Sequence, residues 1–78
     1  QERRLEFDET PLADIARQFN RHNRVQLVVD DPQLAQQRFS GVFRADGHES
    51  FLRLLQEDFG VQVTRRGAEI TLRPAERR

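Results

Sequence analysis

The chain predicts an α+β fold, and three features carry that prediction. Two segments repeat apolar residues at helical spacing, Leu12-Ile15-Ala16-Phe19 and Phe51-Leu52-Leu55-Phe59. Short segments before, between and after them alternate apolar and polar residues with a period of two. The resulting order is strand, helix, strand, strand, helix, strand, strand, that is, β-α-β-β-α-β-β, two β-α-β units and a closing strand. With two helices and only short strands, each sheet must bury one face against the helices, which gives an α+β sandwich.

After a polar lead-in from Gln1 to Arg4, Leu5-Glu6-Phe7 forms the first strand, its two apolar side chains toward the core. At Thr10-Pro11 the threonine suits an N-cap and the proline a first helical position, where its missing N–H is no loss. The first stripe follows, with Asp14, Arg17, Gln18 and Arg21 on its wet side. Asn20 or Asn23 is expected to end this helix in the left-handed conformation, and Arg21 and Arg24 suit its carbonyl end. Val25, Leu27 and Val29 make the second strand, in which Val28 breaks the alternation. Asp30-Asp31-Pro32 stops it, and Leu34-Ala35 fits a single helical turn.

The stretch Phe39-Ser40-Gly41-Val42-Phe43-Arg44 lies at the midpoint of the chain. Phe39, Gly41 and Phe43 share one face of this strand, and Ser40, Val42 and Arg44 the other. Gly41 implies either close approach of a ring or backbone between the two phenylalanines, or a bulge. Asp46 and Glu49 then have capping-box spacing ahead of the second stripe. Leu54 lies at the margin of that stripe, and Gly60 stands where a left-handed C-terminal residue belongs. Val61-Gln62-Val63-Thr64 and Glu69-Ile70-Thr71-Leu72 alternate on either side of Arg65-Arg66-Gly67-Ala68, which predicts a β-hairpin. Pro74 to Arg78 reads as a fraying charged tail and a natural terminus. The expected core is Phe7, Leu12, Ile15, Phe19, Leu27, Phe39, Phe43, Phe51, Leu55, Phe59, Val63, Ile70 and Leu72, which takes in all six phenylalanines.

Composition narrows the function. At 78 residues the chain fits one domain, residues 1–78 with a core of about 5–72, and most of its apolar residues are needed for folding. No cysteine is present, so neither disulfides nor thiolates hold the fold. Thirteen basic residues, all arginine, balance 13 acids. That balance, with the paired arginines Arg3-Arg4, Arg65-Arg66 and Arg77-Arg78 dispersed, argues against nucleic acid as a partner, which needs a clustered cationic face. No apolar run reaches a membrane span, and the missing initiating methionine suggests an excised piece, with any anchor or export signal upstream.

Residues that carry chemistry form no constellation. His22 and His48 lie far apart with no ligand spacing, and read as solvated helix-end histidines. Asp30-Asp31-Pro32 lacks the regular oxygen ligands of a calcium loop and reads as a turn. Ser40 lacks a nucleophile elbow. Glu57-Asp58 and Asp8-Glu9 are sequence neighbours, which on a helix diverge and make no acid/base pair. The four glycines are scattered and form no phosphate-binding loop. The chain is therefore expected to be a non-enzyme without cofactor or metal.

Several pieces, taken in order, resemble a known family. Phe7-Asp8-Glu9-Thr10-Pro11-Leu12, Asn20-Arg21-His22-Asn23, Asp31-Pro32-Gln33-Leu34-Ala35 and Arg38-Phe39-Ser40-Gly41-Val42-Phe43-Arg44, followed by Phe51-Leu52 and Leu55, are similar to the C-terminal region of FecR-type anti-sigma factor regulators. That region is an STN-like domain, named for the N-termini of secretins and TonB-dependent receptors. The resemblance covers about Leu5 to Leu72. At His22 the family often has tyrosine. It implies two helices between a two-stranded and a three-stranded sheet, in agreement with the order of elements read above.

The resemblance also implies a place in the cell-surface signalling of Gram-negative bacteria. Such regulators carry a cytoplasmic anti-sigma segment, one inner-membrane helix and a periplasmic region ending in this domain. The domain contacts the N-terminal signalling domain of an outer-membrane TonB-dependent transducer for ferric siderophores or haem, with an extracytoplasmic-function (ECF) sigma factor released downstream. The upstream periplasmic region of the same regulator is a further implied partner. A small domain with two short sheets leaves strand edges open, and an open edge can accept a partner strand. Arg38, Ser40, Val42 and Arg44 on the midpoint strand are the first candidate contact, with Arg21, His22 and Arg24 as the second. Ordinary solvent-facing residues on an internally paired strand are the plain alternative for the first set. Two other readings of the chain stand beside this one: the signalling domain of the receptor or of a secretin itself, and a small-ligand accessory module, which would require a deep pocket.

Overall fold

The computed structural model describes residues 3–75. Gln1 and Glu2, and the tail beyond Ala75 with its Arg77-Arg78 pair and expected fraying, lie outside the described residues. The elements run β1 (Arg4–Pro11), α1 (Leu12–His22), β2 (Gln26–Val29), α2 (Pro32–Gln36), β3 (Arg38–Arg44), α3 (His48–Phe59), β4 (Gln62–Arg66) and β5 (Glu69–Arg73). β1 and β3 pair antiparallel as a two-stranded ribbon. The second sheet has the order β2-β5-β4, with β2 parallel and β4 antiparallel to β5. α1 packs on β1 and β2, and α3 on β3 and β4, so each helix bridges the two sheets as expected.

The stripes of α1 and α3 explain this layering. Leu12, Ile15, Ala16 and Phe19 on α1 and Phe51, Leu52 and Leu55 on α3 are buried, one apolar face per helix. Phe51 is the hub. Its ring lies 5.6 Å from Phe19, 5.2 Å from Phe43, 6.0 Å from Phe39 and 6.4 Å from Phe7, separations at which offset and edge-on ring pairs attract. Leu5, Ala16, Leu34, Ala45, Leu52 and Val61 complete the core beyond the expected set.

Three expected core residues stand further out. Phe43 and Val63 are only partly buried, and Phe59 is 44% exposed. Phe59 ends α3, where its ring meets that of Phe39 edge-on at 5.0 Å and stays partly open to solvent.

The helix ends correct several expectations. Thr10 does not cap α1: β1 runs on through Pro11, which takes the cap position without a side-chain bond. Instead the Leu12 N–H donates to Gln37 O at 2.8 Å, so the loop entering β3 satisfies the donor a cap would have met. The Asp-Pro signature belongs to α2, where Asp31 Oδ2 accepts from the Leu34 N–H at 2.8 Å and Pro32 is the first helical residue. Asn23 ends α1 in an extended conformation (φ −133°), not a left-handed one. Asp46 and Glu49 form no capping box. Gly47 is the N-cap of α3, because both carboxylates are held by arginines: Asp46 by Arg44 and Glu49 by Arg65. Gly60 does close α3 at φ +68°, its N–H reaching Gln56 O and the next N–H, of Val61, reaching Leu55 O.

Candidate protein-interaction site

The ribbon is built around one irregularity. Phe7 pairs with Gly41 and Thr10 with Phe39, so two residues of β1, Asp8 and Glu9, oppose Ser40 alone, a β-bulge. Glu9 adopts φ +51°, unfavourable for a side chain of its kind. Its neighbours hold it there: the Glu9 N–H donates to Ser40 Oγ at 2.9 Å and Arg38 Nη1 donates to Glu9 O at 2.8 Å. Thr10 Oγ1 accepts from the Asp8 N–H at 3.0 Å. The bulge lies on β1, not on the glycine-bearing strand, so of the two readings of Gly41 the bulge does not hold. Gly41 has its own reason. At φ +153°, a Cβ there would lie 3.2 Å from the Phe43 ring, so the ring covers the backbone between the two phenylalanines.

Of the first candidate set, Arg38, Ser40, Val42 and Arg44 are all solvent-exposed, on the face opposite Phe39. Three of them have internal duties. Arg38 and Ser40 hold the bulge, and Arg44 binds Asp46 in a forked pair, Nε to Oδ1 at 3.0 Å and Nη2 to Oδ2 at 3.1 Å. That pair holds the Asp46 carboxyl below its ordinary range, through the hydrogen bond first. Val42 is different. It is 58% exposed, the most exposed large apolar side chain among the described residues.

Its main chain points outward as well. The Ala45 N–H donates to Arg3 O at 2.7 Å, so in the antiparallel alternation Ala45, Phe43 and Gly41 face β1. Ser40, Val42 and Arg44 then direct their main-chain groups to the opposite edge of β3, which no other described strand covers. The Arg44 carbonyl is taken by the Gly47 N–H at 2.8 Å, which leaves Ser40 and Val42 as the centre of the open edge.

The second set lies at the end of α1. Arg21 and Arg24 are exposed and His22 is half-buried, and among the described residues no ion pair engages either arginine. The asparagines around them are structural. Asn20 bonds both main-chain groups of Leu27, and Asn23 Nδ2 donates to Phe19 O and to Ala45 O, each at 2.8 Å. The Asn23–Ala45 bond fixes the end of α1 beside the exit of β3, so the two candidate sets border one another. The sequence reading missed the parts played by Glu9, Asn20 and Asn23. For Glu9 the one available signal was the unbroken polar run Asp8-Glu9-Thr10 inside a strand.

His48 corrects another expectation. Its side chain is only 15% exposed, not solvated, with Nε2 3.5 Å from Glu49 Oε2 and Nδ1 buried without a hydrogen-bond partner among the described residues. A groove of about 650 Å³ is lined by Asp31, Gln33, Leu34, Gln37, Pro74 and Ala75. Half of that lining is polar, unlike the mostly apolar walls of small-molecule pockets, and Asp31 already caps α2.

Comparison with known proteins agrees with this architecture. No curated protein matches the chain. Two crystal structures of a candidate anti-sigma factor from Parabacteroides distasonis, at 1.65 and 2.50 Å resolution, share the fold. They superpose with TM-scores of 0.76 and 0.73 at 19% and 20% identity, over 94% of this chain and 34% of theirs. The chain thus spans about a third of the length of these structures. The family model described as "FecR, C-terminal" matches residues 4–72, the span from the start of β1 to Leu72 of β5, and the chain belongs to that family, the C-terminal domain of anti-sigma factor regulators.

Proposed function

We propose that this domain is the periplasmic receptor-facing module of a transmembrane anti-sigma regulator. It binds the N-terminal signalling domain of an outer-membrane TonB-dependent transducer and relays siderophore or haem uptake to an ECF sigma factor. It acts as a binding surface, together with the upstream periplasmic region of the same regulator, and performs no chemistry itself. Family membership supports the regulator side of the relay over the receptor or secretin side.

The observation that carries the binding mode is the open edge of β3, centred on a valine that is 58% exposed. A partner strand laid along it gains main-chain hydrogen bonds at Ser40 and Val42, and a side-chain contact at Val42 supplies selectivity. Arg38 and Arg44 frame the contact, and the Arg21, His22 and Arg24 patch extends it on the Arg44 side. Hydrogen exchange of the chain with and without the receptor's signalling domain tests this mode. The Ser40 and Val42 amides are expected to gain protection on binding. Protection confined to Arg21–Arg24 would move the contact to the end of α1.

A further inference from the structure

The three-stranded sheet has two outer edges, and its hydrogen bonds treat them in opposite ways. At the β2 edge the Asn20 side chain donates from Nδ2 to Leu27 O at 3.0 Å and accepts the Leu27 N–H at Oδ1 at 2.7 Å. That carboxamide imitates a neighbouring strand and closes the edge of a four-residue strand. Among the described residues, no side chain closes the edge of β4 in this way.

Which groups β4 exposes follows from β5. The Gln26 N–H donates to Ala68 O at 2.8 Å and the Asp30 N–H to Leu72 O at 2.9 Å. The even-numbered residues of β5 therefore face β2, and Glu69, Thr71 and Arg73 face β4. Their register partners Arg66, Thr64 and Gln62 face β5 in turn. The main-chain groups of Val63 and Arg65 are left pointing away from the sheet.

We infer that this edge pairs with β4 of a second copy of the chain, antiparallel and centred on Thr64. Val63 of each copy then exchanges main-chain hydrogen bonds with Arg65 of the other on both sides of the twofold axis. Thr64 meets Thr64, a favourable cross-strand pair. Gln62 lies opposite Arg66; its Nε2 already donates to Pro74 O at 3.3 Å, and its Oε1 accepts from the guanidinium. An arginine on an edge normally discourages pairing, but Arg65 is held in a forked pair with Glu49, both contacts at 2.7 Å, which offsets its charge. Other registers are worse. Centring on Arg65 opposes two arginines, and centring on Val63 sets Arg65 against Val61, whose N–H is already bonded to Leu55 O. The interface is a single strand pair, so the association is weak. It uses a different sheet from the proposed receptor contact, and the two do not depend on each other.

The absence of cysteine makes the test direct. A non-hydrogen-bonded antiparallel pair brings its Cα atoms to about 4.5 Å, within disulfide range. Thr64→Cys, oxidised with diamide, is expected to form a covalent dimer roughly tenfold faster than Val28→Cys, because pairing raises the local thiol concentration. Val28 lies on the same exposed face, two strands away. In the unsubstituted chain, the Val63 and Arg65 amide resonances should move between about 20 µM and about 1 mM protein, and those of β2 should not. Both results are required. Crosslinking of Thr64→Cys no faster than that of Val28→Cys, or concentration-independent Val63 and Arg65 shifts, overturns the inference.

Discussion

Gly41 and Glu9 form two halves of one local solution. A methyl group at Gly41 meets the Phe43 ring at 3.2 Å on a backbone that side chains rarely adopt, so Gly41→Ala should cost about 1–3 kcal/mol in urea unfolding. Glu9 is the reverse case. Its φ of +51° suits glycine, and Glu9→Gly should stabilise by up to about 1 kcal/mol, since the bonds to Ser40 and from Arg38 that hold the bulge use main-chain atoms of residue 9. A loss of stability would mean that the Glu9 side chain, 3.5 Å from Ser40 Oγ, matters more than the backbone. The glycine's purpose was legible because small residues between aromatics leave few explanations. The bulge was not: whether strand polarity means a solvent face or an extra residue depends on the register with β3, which is set by contacts 31 residues away in sequence.

At the scale of elements, side chains that tie one element to another decided what local rules left open. Asn20 stands at a helix end where propensity suggests a left-handed cap, yet it closes the edge of β2. Asn20→Ala leaves both Leu27 groups without that partner and should destabilise by about 1–3 kcal/mol, read by thermal unfolding. Glu49 likewise had capping-box spacing, but Arg65, 16 residues on, holds it instead. A two-pronged arginine bond to a full charge outcompetes a cap, and no local pattern announces it. That bond draws the Glu49 carboxyl below its ordinary 4.5. A depressed folded-state pKa contributes stability that is present above the unfolded value and is lost as pH falls through the folded one. Arg65→Gln should therefore be less stable than the parent at neutral pH, by less than about 1 kcal/mol because both groups are largely exposed. The gap should close as the pH falls below the ordinary carboxylate range. A gap that persists undiminished in acid would show that Arg65 acts through packing of its stem. The two long helices and the closing hairpin, by contrast, were legible as elements, because α1, α3 and β5 each carry buried residues at the expected spacing.

Over the whole molecule, two helices hold two small sheets apart around one cluster of phenylalanine rings centred on Phe51. A sheet of two strands has no interior strand, so both strands of the β1–β3 ribbon are edges. The bulge breaks the β1 edge and leaves that of β3. The sequence pointed to β3 as the contact, and also offered Arg38, Ser40 and Arg44 as equal partners of Val42. Their internal hydrogen bonds single out Val42, a distinction that only the register could make. The central claim is that this edge carries the receptor contact. Its most direct test is calorimetric titration of the proposed periplasmic region with the signalling domain of the TonB-dependent receptor proposed as its partner, comparing the parent with Val42→Asp. The account predicts binding by the parent and affinity at least roughly tenfold weaker for the variant, with thermal transitions nearly equal because Val42 is exposed. Equal affinities would contradict it.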